Sequence, residues 1–268
     1  MGILNVTPDS FGDAVHFVRN GVIDVEGAVE AAVRMEEAGA DLVDIGGEST
    51  RPGAEPVTAI EESGRVVPVI RALAGRIRIP ISVDTYRAEV AHAALEAGAV
   101  MVNDISGLRY EPELAAVAAR GHAALVLMHT RGRSSTMYED ASYADLIGEV
   151  ATELQQSITS AIGAGVPREQ LLVDPGIGFA KRPAHSYGVL ARLGDLAAAL
   201  DRPLVAGPSR KSFLREAVGD RPAAQRDWGT AAAVTAAVLA GAHIVRVHAV
   251  EEMAQVVRVA EQTRRTES

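Results

Sequence analysis

Asp84, Asn103 and Asp174 each close a short apolar run: Pro80-Ile-Ser-Val-Asp-Thr85, Ala99-Val-Met-Val-Asn-Asp104 and Leu171-Leu-Val-Asp-Pro175. Carboxylates and amides at such positions accept N–H groups, and one carboxylate takes two N–H bonds from a guanidine-like edge. A second set is basic: Arg51, Lys181, Arg210, Lys211, Arg246 and His248. Arg246 and His248 stand two apart, so on a strand they share one face and suit an anion, phosphate oxygens above all. A ligand with a guanidine-like edge and a phosphate tail would use both sets. The chain has no Cys and no evident nucleophile-plus-base pair, which leaves chemistry by binding and charge.

Each of these residues also has a plainer reading. Polar residues follow strands because loops are polar, and Arg246 can simply pair with Asp44 or Asp104. A buried, unpaired carboxylate costs several kcal/mol, so Asp84 and Asp174 need partners from protein or ligand. Phe179 is one of 4 Phe in the chain and either stacks on a ring or packs in the core, while Met128 reads as core. The glycine-rich turns Asp44-Ile-Gly-Gly-Glu-Ser-Thr-Arg-Pro-Gly53 and Asp174-Pro-Gly-Ile-Gly-Phe-Ala-Lys181 let backbone come close to a flat ligand.

The elements that must position these groups are short apolar runs at Met1–Val6, Leu42–Gly47, Pro80–Thr85, Val100–Ile105, Ala124–His129, Leu171–Gly176, Pro203–Gly207 and His243–His248. Runs of this length bounded by Gly or Pro read as strands buried on both faces. Their polar ends are Asn5, Asp44, Asp84, Asn103, His129, Asp174, Ser209-Arg210-Lys211, and Arg246 with His248. Helical patterns lie between them. Asp24 caps one and Gly39 closes it, Thr58-Ala-Ile-Glu61 is a capping box, and Leu146, Val150, Leu154, Ile158 and Ile162 line the longest. Trp228–Ala240 is almost uniformly apolar and is expected to be buried, in a subunit interface if not in the core. Gly39-Ala-Asp-Leu-Val-Asp44, Gly98-Ala-Val-Met-Val-Asn103 and Gly241-Ala-His-Ile-Val-Arg246 repeat one plan of helix end, strand and polar stop. Eight such units without a linker predict an α/β chain with one domain over 1–268, a closed (βα)8 TIM barrel whose site lies at the C-terminal ends of the strands. An open doubly wound sheet is the alternative, but the first strand lacks the Gly-x-Gly-x-x-Gly turn of dinucleotide folds.

Composition narrows the class. At 268 residues and 48% hydrophobic content, a sizeable core is within reach. The net charge of -9 argues against nucleic-acid binding, and no run of about 18 apolar residues marks a membrane span. No basic stretch precedes the first apolar residues, so no signal peptide is expected, and the absence of Cys fits a reducing cytoplasm.

The motifs as a set resemble one family over essentially the whole chain, the dihydropteroate synthases. The matching stretches are Gly2-Ile-Leu-Asn-Val-Thr-Pro-Asp-Ser-Phe11, Asp44–Gly53, Ser82-Val-Asp-Thr85, Val102-Asn-Asp-Ile105, Asp174–Lys181, Ser209-Arg-Lys-Ser212 and Arg246-Val-His248, one per strand end. The resemblance implies condensation of 6-hydroxymethyl-7,8-dihydropterin pyrophosphate with p-aminobenzoate, assisted by Mg2+, in a cytoplasmic homodimer that sulfonamides target. By similarity Asp84, Asn103, Asp174 and Lys211 hold the pterin, with Gly207 beside it. Asn5 helps place the metal, and Arg246 and His248 take the pyrophosphate. Thr50, Arg51, Phe179 and Ser209 shape the p-aminobenzoate pocket, and Asp9 and Phe11 face the site from the loop Thr7–Asn20. That loop reads Asp9-Ser-Phe-Gly-Asp13-Ala-Val15 where the family usually has Asp-Ser-Phe-Ser-Asp-Gly-Gly. Two other functions are compatible with parts of the pattern. A methyltetrahydrofolate-dependent corrinoid methyltransferase shares the pterin-binding barrel but needs no pyrophosphate site, which Arg51, Lys211, Arg246 and His248 argue against. A pterin-binding protein with impaired catalysis would account for the altered loop.

Overall fold

The computed structural model describes residues 1–8, 17–19, 22–49, 56–133, 136–139 and 141–266. Asp9, Phe11, Thr50 and Arg51 lie outside them. Eight parallel strands run β1 (Gly2–Asn5), β2 (Val43–Gly46), β3 (Ile81–Asp84), β4 (Met101–Asp104), β5 (Ala124–Met128), β6 (Leu171–Asp174), β7 (Val205–Ala206) and β8 (Ile244–Val245). The first six pair in chain order and the last two pair with each other. Parallel bridges Val173↔Leu204 and Gly2↔Val247 join the two groups into a ring, which is the expected closed barrel. The last two strands are shorter than the sequence suggests, although the backbone bonds from Arg246 N to Ala206 O (2.9 Å) and Val247 N to Met1 O (3.0 Å) carry the ladder onward.

Strand parity explains how one chain fills both the wall and the mouth. Residues facing outward, such as Leu4, Val43, Ile45, Val83, Val102, Leu125 and Val173, pack with the helices in the main core. Val126, Leu172 and Val205, with Met101, Ala124 and Ile244, form a separate cluster inside the ring. Two residues further along the same strands come Met128, Asp174, Asn103 and Arg246. A period of two therefore places polar groups directly above the apolar plug, at the end where ligands bind in such barrels. Each fully buried Leu or Val contributes about 1.5–3 kcal/mol, so the plug is a firm floor for those groups.

Helix signals hold with local adjustments. Asp24 Oδ1 accepts from Gly27 N (2.9 Å), and Gly39 follows the helix Val25–Glu37 with φ +97. Thr58 Oγ1 accepts from Glu61 N (3.2 Å), but the Glu61 carboxylate turns to Arg65, so the capping box is half made. Ile162, expected on the inner stripe of Leu146–Gly163, is exposed. The helix Asp227–Leu239 is buried within the chain on one face only. It buries Gly229, Thr230, Ala233, Val234, Ala237 and Val238 along one face, while Trp228 is 89% exposed. Alanine counts as apolar yet covers little area, so an Ala-rich helix conceals its open side in the sequence. Phe17, near the end of the loop Thr7–Asn20, is a core residue whose carbonyl accepts from Asp24 N (2.7 Å).

Candidate active site

Arg246 stands at the centre of the mouth. Its Nε donates to Asp44 Oδ2 (2.6 Å) and its Nη2 donates to Asp84 Oδ2 (2.6 Å), so one guanidinium bridges the ends of β2 and β3. Asn103 Nδ2 also donates to Asp44 Oδ2 (2.9 Å). Among the described residues, the buried Asp44 Oδ1 has no hydrogen-bond partner. The plainer reading of Arg246 is thus partly realised, through Asp44 and Asp84. Asp104 plays no part in it, because it accepts from Ser106 N (2.8 Å), Ser106 Oγ (2.7 Å) and Leu108 N (2.6 Å) and shapes its own loop. Burial pushes Asp84 up to about 7 against the pull of Arg246, and pushes Asp104 up to about 6. Burial opposes the charge on Arg246, but Asp44 and Asp84 together hold it above the usual range.

A carboxylate–ammonium pair lines the opposite side. Asp174 Oδ1 accepts from Gly176 N (2.7 Å), and its Oδ2 faces Gly207. A methyl on Gly207 would lie 3.8 Å from Lys211 Nζ and 3.9 Å from Asp174 Oδ2, so bare backbone keeps the space between them open. Lys211 donates to Ile177 O and lies 4.5 Å above the Phe179 ring. Burial lowers Lys211 to about 8, while Asp174 works the other way. Phe179 is half-buried against Tyr86, Ile105 and Met128, so it sits at the rim with its face under a cation. Gly176 is strict: with φ +68, a Cβ there would meet His129 O at 1.9 Å. His248 and Arg246 flank buried Val247, as their spacing predicts, and His248 Nδ1 lies 2.9 Å from Ser209 Oγ.

Two expected mouth cations are elsewhere. Arg210 has φ +59 and turns outward, where Nε and Nη2 bind Asp227 Oδ1 (2.7 Å) and Oδ2 (2.8 Å). Lys181 is packed behind the Asp174 turn beside His129. Sequence reasoning missed a buried group under the second strand end: Arg87 donates to Glu48 Oε2 (2.6 Å) and to Glu62, and Tyr86 OH donates to Glu48 Oε1 (2.9 Å). The available signal was Glu48 inside the glycine turn and Arg87 just past Asp84-Thr85. Among the described residues no three His, Asp or Glu side chains are placed to hold a metal by themselves. An open groove of about 610 Å3 between the helices Leu146–Gly163 and Leu193–Leu200 belongs to the outer layer and contains none of these groups.

The raised carboxylates have a stability signature. Between pH 4 and 6 folded Asp84 and Asp104 hold protons that the unfolded chain has released, so each lowers stability as pH rises, by at most about 1.4 kcal/mol per pH unit. His129, lowered to about 4 by burial and by Lys181, acts in the opposite sense over the same interval. Glu153, held low, also opposes the decline below about pH 5, while Glu62 and Asp174, both raised by burial, add to it, so a net decline is expected from about pH 5 to 6 in urea unfolding. Asp84→Asn should flatten that decline, and an unchanged slope would show that Asp84 titrates normally.

The sequence matches the family model described as pterin binding enzyme over residues 1–248. It is 48% identical over 261 residues to the dihydropteroate synthase of a Synechocystis strain, covering 97% of this chain and 88% of that protein. The Yersinia pestis dihydropteroate synthase, solved with a sulfonamide drug complex, superposes with a TM-score of 0.92 at 42% identity, covering 98% of this chain and 93% of that one. The Xanthomonas albilineans dihydropteroate synthase in complex with 7,8-dihydropteroate gives 0.85 at 38% identity, covering 98% and 92%.

Proposed function

The chain belongs to the pterin-binding enzymes, as a dihydropteroate synthase, and from that premise we propose how its own residues carry the reaction. It is a transferase of folate biosynthesis that joins 6-hydroxymethyl-7,8-dihydropterin pyrophosphate to p-aminobenzoate, giving 7,8-dihydropteroate and pyrophosphate. The observation that carries the residue-level reading is the arrangement of charge: Arg246 forks Asp44 and Asp84 on one side of the mouth, and Lys211 faces Asp174 across Gly207 on the other.

In this reading Asp174 accepts the guanidine-like N–H edge of the pterin, Lys211 donates to its carbonyl side, and Asn103 packs against the ring. Arg246 and His248 take the pyrophosphate. When C–O cleavage releases the pyrophosphate, positive charge develops on the pterin methylene. Asp84, beside the ring, stabilises that charge, and Arg246 stabilises the negative charge on the leaving group. The aniline nitrogen then attacks the methylene and loses a proton to water, so no strong general base is needed. Phe179 and Ser209 form part of the p-aminobenzoate site. Thr50, Arg51 and Asp9 enter on sequence alone.

Mg2+ fits this donor set. A methyl on Gly46 would lie 3.7 Å from both Asn5 Oδ1 and Asp84 Oδ2, and Asp44 Oδ1 is a buried oxygen with no partner among the described residues. These are hard oxygen donors, too few for a self-sufficient site, which suits an ion that takes its other ligands from phosphate and water. Asn5 with Asp84 would hold it, and the ion would supply further charge neutralisation for the pyrophosphate. The proposed assembly is one barrel domain per chain in a cytoplasmic homodimer. Exposed Trp228 supports a contact between subunits, and no helix among the described residues is long and apolar enough to cross a membrane.

The test is pyrophosphate release from the pterin pyrophosphate with Mg2+, measured with and without p-aminobenzoate. Release that depends on the amine and yields dihydropteroate is expected. Pterin binding without amine-dependent release would leave a binding protein.

A further inference from the structure

Among the described residues Lys181 is the largest fully buried side chain, 1% exposed, yet no step of the reaction uses it. Its Nζ lies 2.8 Å from His129 Nδ1 and donates to Phe179 O (3.2 Å). A Cβ on Gly176 would lie 3.5 Å from the same Nζ. The ammonium therefore sits on the inner side of the turn from Asp174 to Lys181, touching its middle and its end. His129 holds the turn a second time through its backbone, whose N–H donates to Asp174 O (2.8 Å). The turn contains a left-handed non-glycine residue, Ala180 at φ +47, whose carbonyl accepts from Tyr143 OH (2.9 Å). A left-handed alanine persists only where surrounding contacts over-determine it.

The support continues outward. His129 Nδ1 accepts from Lys181, so the ring proton belongs on Nε2, which lies 3.2 Å from Glu153 Oε2 though poorly aligned for a full hydrogen bond. Glu153 is in turn held by Arg131 and Arg109. Burial opposes ionisation of Glu153, yet the nearby His129 ring and the bonds from Arg131 keep it well below the usual carboxylate range. The result is a chain from the helix Leu146–Gly163 through His129 to the turn. At one end is a fixed anion, and at the other a buried cation behind Asp174 and beneath Phe179.

From this we infer that Lys181, oriented by His129 and Glu153, is a positioning residue that sets the Asp174–Lys181 turn so that Asp174 and Phe179 present one geometry to the two substrates. The inference rests on the reading of Asp174 and Phe179 as substrate contacts. Burial lowers Lys181 to about 7, with Asp174 as the largest opposing influence. So costly a cation is retained where an apolar residue of similar length would pack, which indicates a role other than stability.

Lys181→Met keeps the length and removes the ammonium. Its melting temperature should equal or exceed that of the parent. Dissociation constants for 6-hydroxymethyl-dihydropterin and KM for p-aminobenzoate should each rise by ~10-fold, with kcat at saturation within ~3-fold of the parent. Glu153→Gln leaves the lysine in place and loosens His129, so it should move the same two constants the same way by ~3-fold, again at constant kcat. If Lys181→Met does not fold, the Glu153→Gln arm decides alone. A lower melting temperature with unchanged binding would make Lys181 mere packing and overturn the inference, and so would a fall in kcat at unchanged KM. The pterin titration needs no turnover, so it tests the turn even if the parent failed the amine-dependent assay, which would sink the functional reading instead.

Discussion

Arg246→Met should lower turnover by ~10²-fold or more, because the leaving pyrophosphate then meets too little positive charge. The variant should also be less stable, since Asp44, fully buried, and Asp84, with a side chain only 10% exposed, both accept from the lost guanidinium. Removing one partner of a buried ion pair typically costs ~3–5 kcal/mol, unless the orphaned carboxylates take up protons. Asp84 is already raised by burial, and without Arg246 it rises further. The sign follows: folded protein then holds protons that the unfolded chain has released, so the deficit grows as pH rises above about 4 and is smallest in mild acid. Two measurements separate the structural role from the chemical one. The pyrophosphate ester should lose much more affinity than the pterin alcohol, which lacks the tail. A second change, Asp44→Asn, should return much of the stability by removing one orphaned charge, but should not return turnover. Equal losses for alcohol and ester, with turnover recovering alongside stability, would leave Arg246 a strut of the barrel wall.

The site was legible wherever strand parity governs it. Arg246 with His248 on one face, Asn103 above Met101 and Asp174 above Leu172 all follow from a period of two along short apolar runs. Legibility failed where a turn sets direction. Arg210 and Lys211 are adjacent cations with opposite fates, and the difference is a left-handed backbone at Arg210 that nothing in its side chain announces. It failed again for pairs closed across the fold. Lys181 meets His129 from 52 residues away, and Arg87 meets Glu48 from 39, so the first reads locally as a cation of the mouth and the second as an ordinary solvated charge. The Ala-rich helix bearing Trp228 misled for a third reason, since residue type reports polarity and not area. Asp84 and Asp174 were expected to need partners, and both have them: Arg246 for one, Gly176 N with Lys211 nearby for the other.

Asp174→Asn bears most directly on pterin recognition, and the structure sharpens why. Oδ1 of Asp174 already accepts from Gly176 N, so the ligand edge must be met chiefly by Oδ2, on the side open at Gly207. Asparagine cannot serve both directions. If its carbonyl faces Gly176, its NH2 points at the pterin and donor meets donor. If its carbonyl faces the pterin, the NH2 meets Gly176 N–H and the turn is forced apart. Losing a charge-assisted pair costs ~2–3 kcal/mol, which weakens binding by ~30–150-fold. The fold should survive, because Asp174 is 5% exposed and the change removes a charge that burial disfavours. A second effect follows at Lys211, whose largest support for its charged form is Asp174. Without it Lys211 falls below about 8, and more of it is neutral at pH 7.5, so the carbonyl side of the pterin is held less well too. Calorimetric titration with 6-hydroxymethyl-dihydropterin at pH 6.5 and 8.5 reads both effects. The variant should bind weakly at both values and more weakly at 8.5, while unchanged affinity at either pH would take Asp174 out of the pterin site.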